Sequence, residues 1–525
     1  MHFLLLIHLD TVEMLTTVTI ALVLSAFSGV LSAEKFRFSS YYGNHMVLQK
    51  APAKAVVWGY GQKGAMVVVS LSETYKISTT VINGIWRATL KPVEAGGPYN
   101  LTASQSITNS SITLTDILFG DAWLCSGQSN MAFTVGQVIN ATEELALASK
   151  YTDVRIFQAA LEQSEEELTD LARVEVPWSR PTAKLLGGKK FSHFSAVCWL
   201  FGRYLYETLK YPIGLVHSSW GGTPVEAWSS PRALKKCGLL DSVPYSDLFL
   251  QRNLLENVSG KWNNSVLWNA MIHPLLNMTI TGAIWYQGEA NSIYNRDKYN
   301  CSFPMMIDDW RMAFHKGSGG QTALDFPFGF VQLSTYRKND SQDGFREIRW
   351  HQTADYGFAP NARMKNTFMA VAIDVPDEKS PYGSIHPEDK QDVAYRLVLG
   401  ARAVAYGEKN VSFQGPFPTQ AVLKQDFISI VFNQSINAIP EDGIFFEICC
   451  SEDKTCESDD KWLHVPIEKC GVDYVLVSKP QCPVANITAV RYLWTDWPCN
   501  FKACPIYSSD RLLPAPPFIL AITKQ

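Results

Sequence analysis

The stretch Ile117-Leu118-Phe119-Gly120-Asp121-Ala122-Trp123-Leu124-Cys125, followed at once by Ser126-Gly127-Gln128-Ser129-Asn130-Met131, decides the fold. A short apolar run that stops at small polar residues and a glycine reads as a buried strand ending in a tight turn. Four further runs share this form: 213–219 (IGLVHSS), 282–288 (GAIWYQG), 328–334 (FGFVQLS) and 367–374 (TFMAVAID). Helical patterns lie between several of them. Residues 194–210 put Val197, Leu200, Phe201, Leu205 and Leu209 on one face. Residues 387–405 open with Pro387, Glu388 and Asp389, which suit a first helical turn, and then turn Val393, Leu397, Ala401 and Val404 inward. Buried strands alternating with amphipathic helices predict an α/β domain over 116–408, built on a doubly wound parallel sheet.

The flanks have another texture. Residues 34–115 contain AVVWGYG, MVVVSLSE, YKISTTVI, WRATLKP and YNLTAS, short Val-, Thr- and aromatic-rich strands between turn residues, and predict an N-terminal β-sandwich. Residues 409–525 repeat that texture with FISIVFN, GIFFEICC, YVLVS and AVRYLWT, a second, Cys-rich β domain. A formal charge of −4 leaves no basic field for nucleic acid.

Three features point to export. Residues 1–33 read as a signal peptide with an atypical extension over 1–13; the apolar block from Met14 ends in small residues, with cleavage after Ser32 or Ala33. An N-terminal membrane anchor is the competing reading of that block, and no later run is long enough for a span, so no span is expected in the mature chain. Eleven Asn-x-Ser/Thr sequons occur, at Asn100, Asn109, Asn140, Asn257, Asn263, Asn277, Asn300, Asn339, Asn410, Asn433 and Asn486. Seven of the eleven cysteines fall between Cys449 and Cys504 without the paired spacing of a zinc site, so they read as disulfides and no metal is expected. The odd total leaves at least one thiol free or bonded to another chain. Together these place the chain in the secretory pathway, lysosomal or secreted.

Chemistry in an open α/β sheet collects beyond the carboxyl ends of its strands. Ser129 follows the first run where a helix begins, among backbone N–H groups that can receive an oxyanion. The second run ends in Ser219-Trp220-Gly221-Gly222-Thr223-Pro224, where two glycines let backbone approach a ligand. The third ends in Trp285-Tyr286-Gln287-Gly288-Glu289, with an amide able to aim at the same oxyanion. Trp220, Trp228, Trp285 and Tyr286 offer flat faces for a sugar, or simply fill the core. After the fifth run come Asp374 and, past a polar loop, Ile385-His386-Pro387. A neutral histidine there can take a serine proton.

These segments resemble the sialate O-acetylesterases, within the wider SGNH-type carbohydrate esterases. The likeness rests on GQSN at 127–130, the Gly221-Gly222 turn, WYQGE at 285–289 and IHP at 385–387. It extends through MVLQK at 46–50, SVLWNAMIHPL at 265–275 and LPAPPFI at 513–519. The resemblance implies a flavodoxin-like central sheet and a serine esterase acting on O-acetylated sialic acids, with the 9-O-acetyl ester preferred. Ser129 would be the nucleophile and His386 its base, with an oxyanion hole from the backbone of Ser129, Gly221 or Gly222 and the Gln287 amide. The superfamily's aspartate three residues before the histidine is Gly383 here, so the third member stays open between Asp374, Glu289 and a dyad oriented by a backbone carbonyl. Trp220, Trp285, Glu289 and Arg349 are the expected substrate contacts, Arg349 pairing with the sialate carboxylate. No cofactor is called for. The rival readings are an acetylesterase for other acetylated glycans and a non-catalytic glycan-binding protein.

Overall fold

Seven strands carry the site: β1 (Ser110–Gly127), β2 (Val154–Ala159), β3 (Val174–Ser179), β4 (Ile213–Ser219), β5 (Gly282–Tyr286), β6 (Phe328–Gln332) and β7 (Thr367–Val371). In the computed structural model their order across the sheet is β3-β2-β4-β1-β5-β6-β7. Every neighbouring pair is parallel except β3 with β2. The structure describes residues 35–524 apart from 73–74, 189, 242–262, 339–343, 440–444, 453–454, 457 and 483–485. The expected signal peptide and the sequons Asn257 and Asn339 lie outside the described residues.

The five runs read from the sequence occupy β1, β4, β5, β6 and β7, while β2 and β3 extend the sheet beyond β4. All five residues of β5, β6 and β7 are buried, which is why these strands are continuously apolar rather than alternating.

Five helices matter for the site: α1 (Ser129–Ala132), α2 (Ala196–Leu209), α3 (Tyr299–Gly317), α4 (Phe345–His351) and α5 (Lys390–Val404). They cover both faces of the sheet. On one face Cys125 of β1 is bonded to Cys198 of α2, and Trp123, two residues back, meets Phe201 and Phe368. On the other, Trp285 of β5 packs on Phe303 and Trp310 of α3, and Phe328 and Phe330 join them. Successive strand side chains point to opposite faces, so this split follows from the register.

Helix α2 starts where Ser195 accepts a hydrogen bond from the Cys198 N–H at 3.1 Å, and it buries Val197, Leu200, Phe201 and Leu205. Each fully buried apolar side chain of this size contributes roughly 1.5–3 kcal/mol. Helix α5 starts later than the sequence suggested. Asp389 is its N-cap, accepting from the Asp392 N–H at 3.1 Å, so Pro387 and Glu388 lie outside it. His386 therefore sits three residues before the cap, on a loop, and gains no first-turn position.

Strand β1 runs eighteen residues. Its first half pairs antiparallel with Gly96–Gln105 and its second half lies at the centre of the parallel sheet, so one strand links the N-terminal strands to the site. The other N-terminal sheet joins Arg37–Phe38, Val56–Tyr60 and Ile85–Thr89. At the far end an eight-stranded sheet extends from Pro418 to Lys524.

Arg349 fastens this C-terminal module to the core. Its guanidinium is wholly buried and donates to the backbone oxygens of Leu333, Ser334, Thr495 and Asp496 at 2.8–2.9 Å. Five disulfides form, Cys125–Cys198, Cys237–Cys301, Cys449–Cys456, Cys450–Cys482 and Cys499–Cys504, which leaves Cys470 free. Such pairing is the chemistry of an oxidising compartment and agrees with passage through the secretory pathway. Among the described residues no helix is long and apolar enough to cross a membrane.

Candidate active site

Strand β1 ends on Gly127, whose φ of +140° and contact with β5 exclude any side chain; a Cβ there would lie 2.1 Å from the Tyr286 carbonyl oxygen. The chain turns at that point, and Ser129 becomes the first residue of the short helix α1. The early N–H groups of a helix have no partner within it, so the hydroxyl stands among free donors. Gly221 flanks it from the end of β4. A Cβ on Gly221 would come within 3.3 Å of the Ser129 Cβ and 3.9 Å of its backbone N.

His386 reaches Ser129 from the loop before α5. Its Nε2 lies 2.8 Å from Ser129 Oγ, and its Nδ1 lies 2.8 Å from the backbone oxygen of Tyr382. A carbonyl can only accept, so Nδ1 carries the proton and the neutral ring turns an unprotonated Nε2 to the hydroxyl. Phe133 and Phe191 pack against the imidazole. Burial holds its pKa down, from 6.5 to about 4; the Tyr382 carbonyl pulls it upward and the nearby Lys390 ammonium pushes it further down. Serine and imidazole so arranged can pass a proton between them, the first step of acyl transfer.

Asp374 is not part of this contact. Its carboxylate is fully buried and receives Arg396 through two hydrogen bonds of 2.6 and 2.8 Å, with the Tyr507 hydroxyl at 3.2 Å. The charge is already matched, and the histidine's Nδ1 is already taken. Glu289 does not fill the place either: it is buried and accepts from Asn130 Nδ2 at 2.5 Å. Of the three arrangements open from the sequence, the geometry is that of a dyad oriented by a carbonyl.

Gln287 is likewise engaged by its neighbours. Both hydrogens of its amide are engaged, with Thr223 O at 3.1 Å and Asn291 Oδ1 at 2.8 Å, while its oxygen accepts from the Tyr299 hydroxyl at 2.9 Å. It braces the glycine loop through Thr223.

The expected substrate contacts divide in the same way. Arg349 is spent on backbone carbonyls, Glu289 faces inward, and Trp285 is core with no exposed surface. Trp228 and Tyr286 are equally buried. Trp220 alone of the four aromatics is partly exposed, and its backbone N–H donates to Gly127 O at 3.1 Å, which holds the residue beside the serine turn. Of the described sequons, Asn100, Asn109, Asn140, Asn410 and Asn433 are exposed. Asn300 lies in α3 with its amide held by Asp355 at 2.6 Å.

Sequence reasoning held a carbonyl-oriented dyad open without naming its carbonyl, and it passed over Lys390. The Tyr382 carbonyl is backbone, and no residue type signals it. Lys390 is a cation at the start of a helix, where the dipole disfavours it, and that misplacement was a readable signal.

Residues 120–380 match the family described as carbohydrate esterase, sialic acid-specific acetylesterase, and residues 419–522 match the sialate O-acetylesterase C-terminal domain. The sialate O-acetylesterase of Mus musculus is 51% identical over 519 residues, covering 93% of this chain and 95% of that protein. The chain belongs to the sialate O-acetylesterase family. The Homo sapiens relative is also 51% identical, over 503 residues, with 93% of each chain covered. A carbohydrate acetylesterase from Xanthomonas citri superposes with a TM-score of 0.74 at 26% identity, over 92% of this chain and 99% of that one. The protein is therefore a carboxylic ester hydrolase by family.

Proposed function

We propose that the protein is a serine esterase that hydrolyses O-acetyl esters of sialic acids, the 9-O-acetyl ester foremost, through an acetyl-Ser129 intermediate. The observation that carries the proposal is the 2.8 Å contact between Ser129 Oγ and His386 Nε2 at the strand ends of a chain in this family. The nucleophile's proton moves to Nε2 as Oγ attacks the acetyl carbonyl. The imidazolium then protonates the departing sugar hydroxyl, and water, activated by the same nitrogen, releases acetate. Backbone N–H groups of Ser129, Gly221 and Gly222 hold the oxyanion. Each such donor is worth about 10²–10³ in turnover.

Two features support a sugar acid as substrate. Trp220 offers a partly exposed indole beside the serine turn. Lys190, exposed at the rim, holds its ammonium 4.9 Å from the centre of the Tyr382 ring and is a cation available to a carboxylate. The supporting frame is read as three modules: an N-terminal β domain over 34–115, a flavodoxin-like doubly wound esterase core of SGNH type over 116–408, and a C-terminal β domain over 409–525. The five disulfides favour maturation in the secretory pathway, with the enzyme lysosomal or secreted.

A second reading, an acetylesterase for other glycans, draws on the likeness to the Xanthomonas citri enzyme. Acetate release from 9-O-acetyl N-acetylneuraminic acid and from acetylated xylose separates the two. The proposal expects kcat/KM at least about tenfold higher on the sialate, a difference of ~1.4 kcal/mol in transition-state binding. Equal values, or preference for xylose, overturn the sialate assignment.

A further inference from the structure

The residue after the nucleophile, Asn130, is 2% exposed and has its amide fully engaged. Its Nδ2 donates to Glu289 Oε1 at 2.5 Å and to the backbone oxygen of Ile385 at 2.9 Å, and its Oδ1 accepts from Lys390 Nζ at 2.7 Å. The amide cannot be reversed: an ammonium only donates, and a carbonyl and a carboxylate offer acceptors. One side chain thus ties the serine turn to the peptide directly before His386.

We propose that Asn130, Lys390 and Glu289 form a buried positioning cluster that sets the approach of His386 to Ser129 and keeps a positive charge behind the base. The inference rests on Ser129 and His386 being the reacting pair. Lys390 has no exposed surface, and its Nζ lies 4.7 Å from the Phe133 ring centre and 5.3 Å from that of Tyr286. A lysine in such a place costs stability unless it is matched. It also opposes the dipole of α5, whose first residue it is. It is matched here by the carboxylates that face it and by its hydrogen bond to Asn130, so the charge is held in place rather than merely tolerated.

Three carboxylates face it: Glu289 beyond β5, its neighbour Asp389, and Asp377 on the loop after β7. Its charge also acts on His386, whose ring nitrogens meet the Tyr382 carbonyl and the Ser129 hydroxyl. Asn130 stands between ammonium and Glu289 carboxylate as a bridge. The second Glu289 oxygen has no hydrogen-bond partner among the described residues, so the amide carries that link. The cation's sign makes protonation of His386 harder, which keeps the base free at acid pH.

The test compares the full chain with Lys390→Met, which loses charge and hydrogen bond, and Lys390→Gln, which loses the charge but keeps a donor for Asn130. Initial rates of acetate release are measured by pH-stat across the acid range, with kcat and KM resolved and thermal midpoints recorded. Both variants are expected to move the acid limb of kcat/KM to higher pH. Lys390→Met is expected to lose roughly 10²-fold in kcat with KM within about twofold, the scale of an ångström-sized misplacement. Should Lys390→Met fail to fold, the limb of Lys390→Gln decides. An acid limb unmoved in the folded variants overturns the inference and leaves a purely structural cluster. Failure of the wild type to release acetate would instead sink the functional reading.

Discussion

His386 gives its Nδ1 hydrogen to the carbonyl of Tyr382 at 2.8 Å, while Asp374, three residues beyond the end of β7, is locked to Arg396. A carbonyl fixes the ring's tautomer and tilt as a carboxylate would. It brings no negative charge to steady the imidazolium. Burial lowers the ring's proton affinity with no such charge to offset it, so the imidazole stays neutral over a wide acid range.

Asp374→Asn tests this division. In a triad enzyme the equivalent change lowers kcat by about 10⁴. Here the expected effect is on the fold: loss of a buried ion pair costs about 3–5 kcal/mol. Calorimetry should show a lower Tm, while the folded protein keeps kcat within about tenfold.

Gly221→Ala probes the oxyanion side. The added methyl would press on the Ser129 Cβ at 3.3 Å and push the glycine loop away from the turn. An oxyanion donor out of place costs about 10²–10³ in kcat. We expect that loss with Tm nearly unchanged, measured by steady-state kinetics beside a thermal melt.

The pH profile follows from the burial of His386. A base works only when deprotonated, so kcat/KM falls as pH drops through its pKa. With that value pushed down from 6.5 to about 4, the acid limb should lie near pH 4 and the rate at pH 5.5 should equal that at pH 7. A limb centred near 6.5 would show an imidazole still in water.

Glu226 makes a separate pH prediction, for stability. It is fully buried, and burial raises its pKa to about 7, against the hydrogen bonds that it accepts from Asn291 and Asn295. The folded state binds its proton more tightly than the unfolded chain, so its contribution is complete below about pH 4.5 and is lost as pH rises through about 7. Glu226→Gln removes that dependence. Wild type minus variant stability should fall by up to about 3 kcal/mol between pH 4.5 and 7 and then level off, readable in denaturant titrations at a series of pH values.

Much of this could be read from the chain, and the misses have physical causes. The five buried strands are legible because apolar residues dominate them, with few polar ones such as Asp121, His217 and Gln332 inside the runs. The meeting of Ser129, Gly221 and His386 is legible because strand ends are where an open sheet gathers its chemistry. Strands β2 and β3 escaped because VRIFQA and VEVPWS mix charge with apolar residues; Arg155 is nonetheless buried, held by Asp116 at 2.9 Å. Arg349 and Gln287 misled because a residue type states what a side chain can donate and not to whom. Both found backbone or core acceptors that only the folded chain brings near. Asp374 misled by position, since Arg396, one turn and more into α5, was not visible as its partner.

The most direct measurement is covalent capture of the nucleophile. The full chain is treated with a fluorophosphonate probe, digested and mapped by mass spectrometry, alongside Ser129→Ala and His386→Ala. The account predicts a single adduct on the peptide bearing Ser129, abolished by the first change and slowed by at least about 10³-fold by the second, since the hydroxyl then lacks its base. An adduct on another serine, or undiminished acetate release by Ser129→Ala, would contradict it.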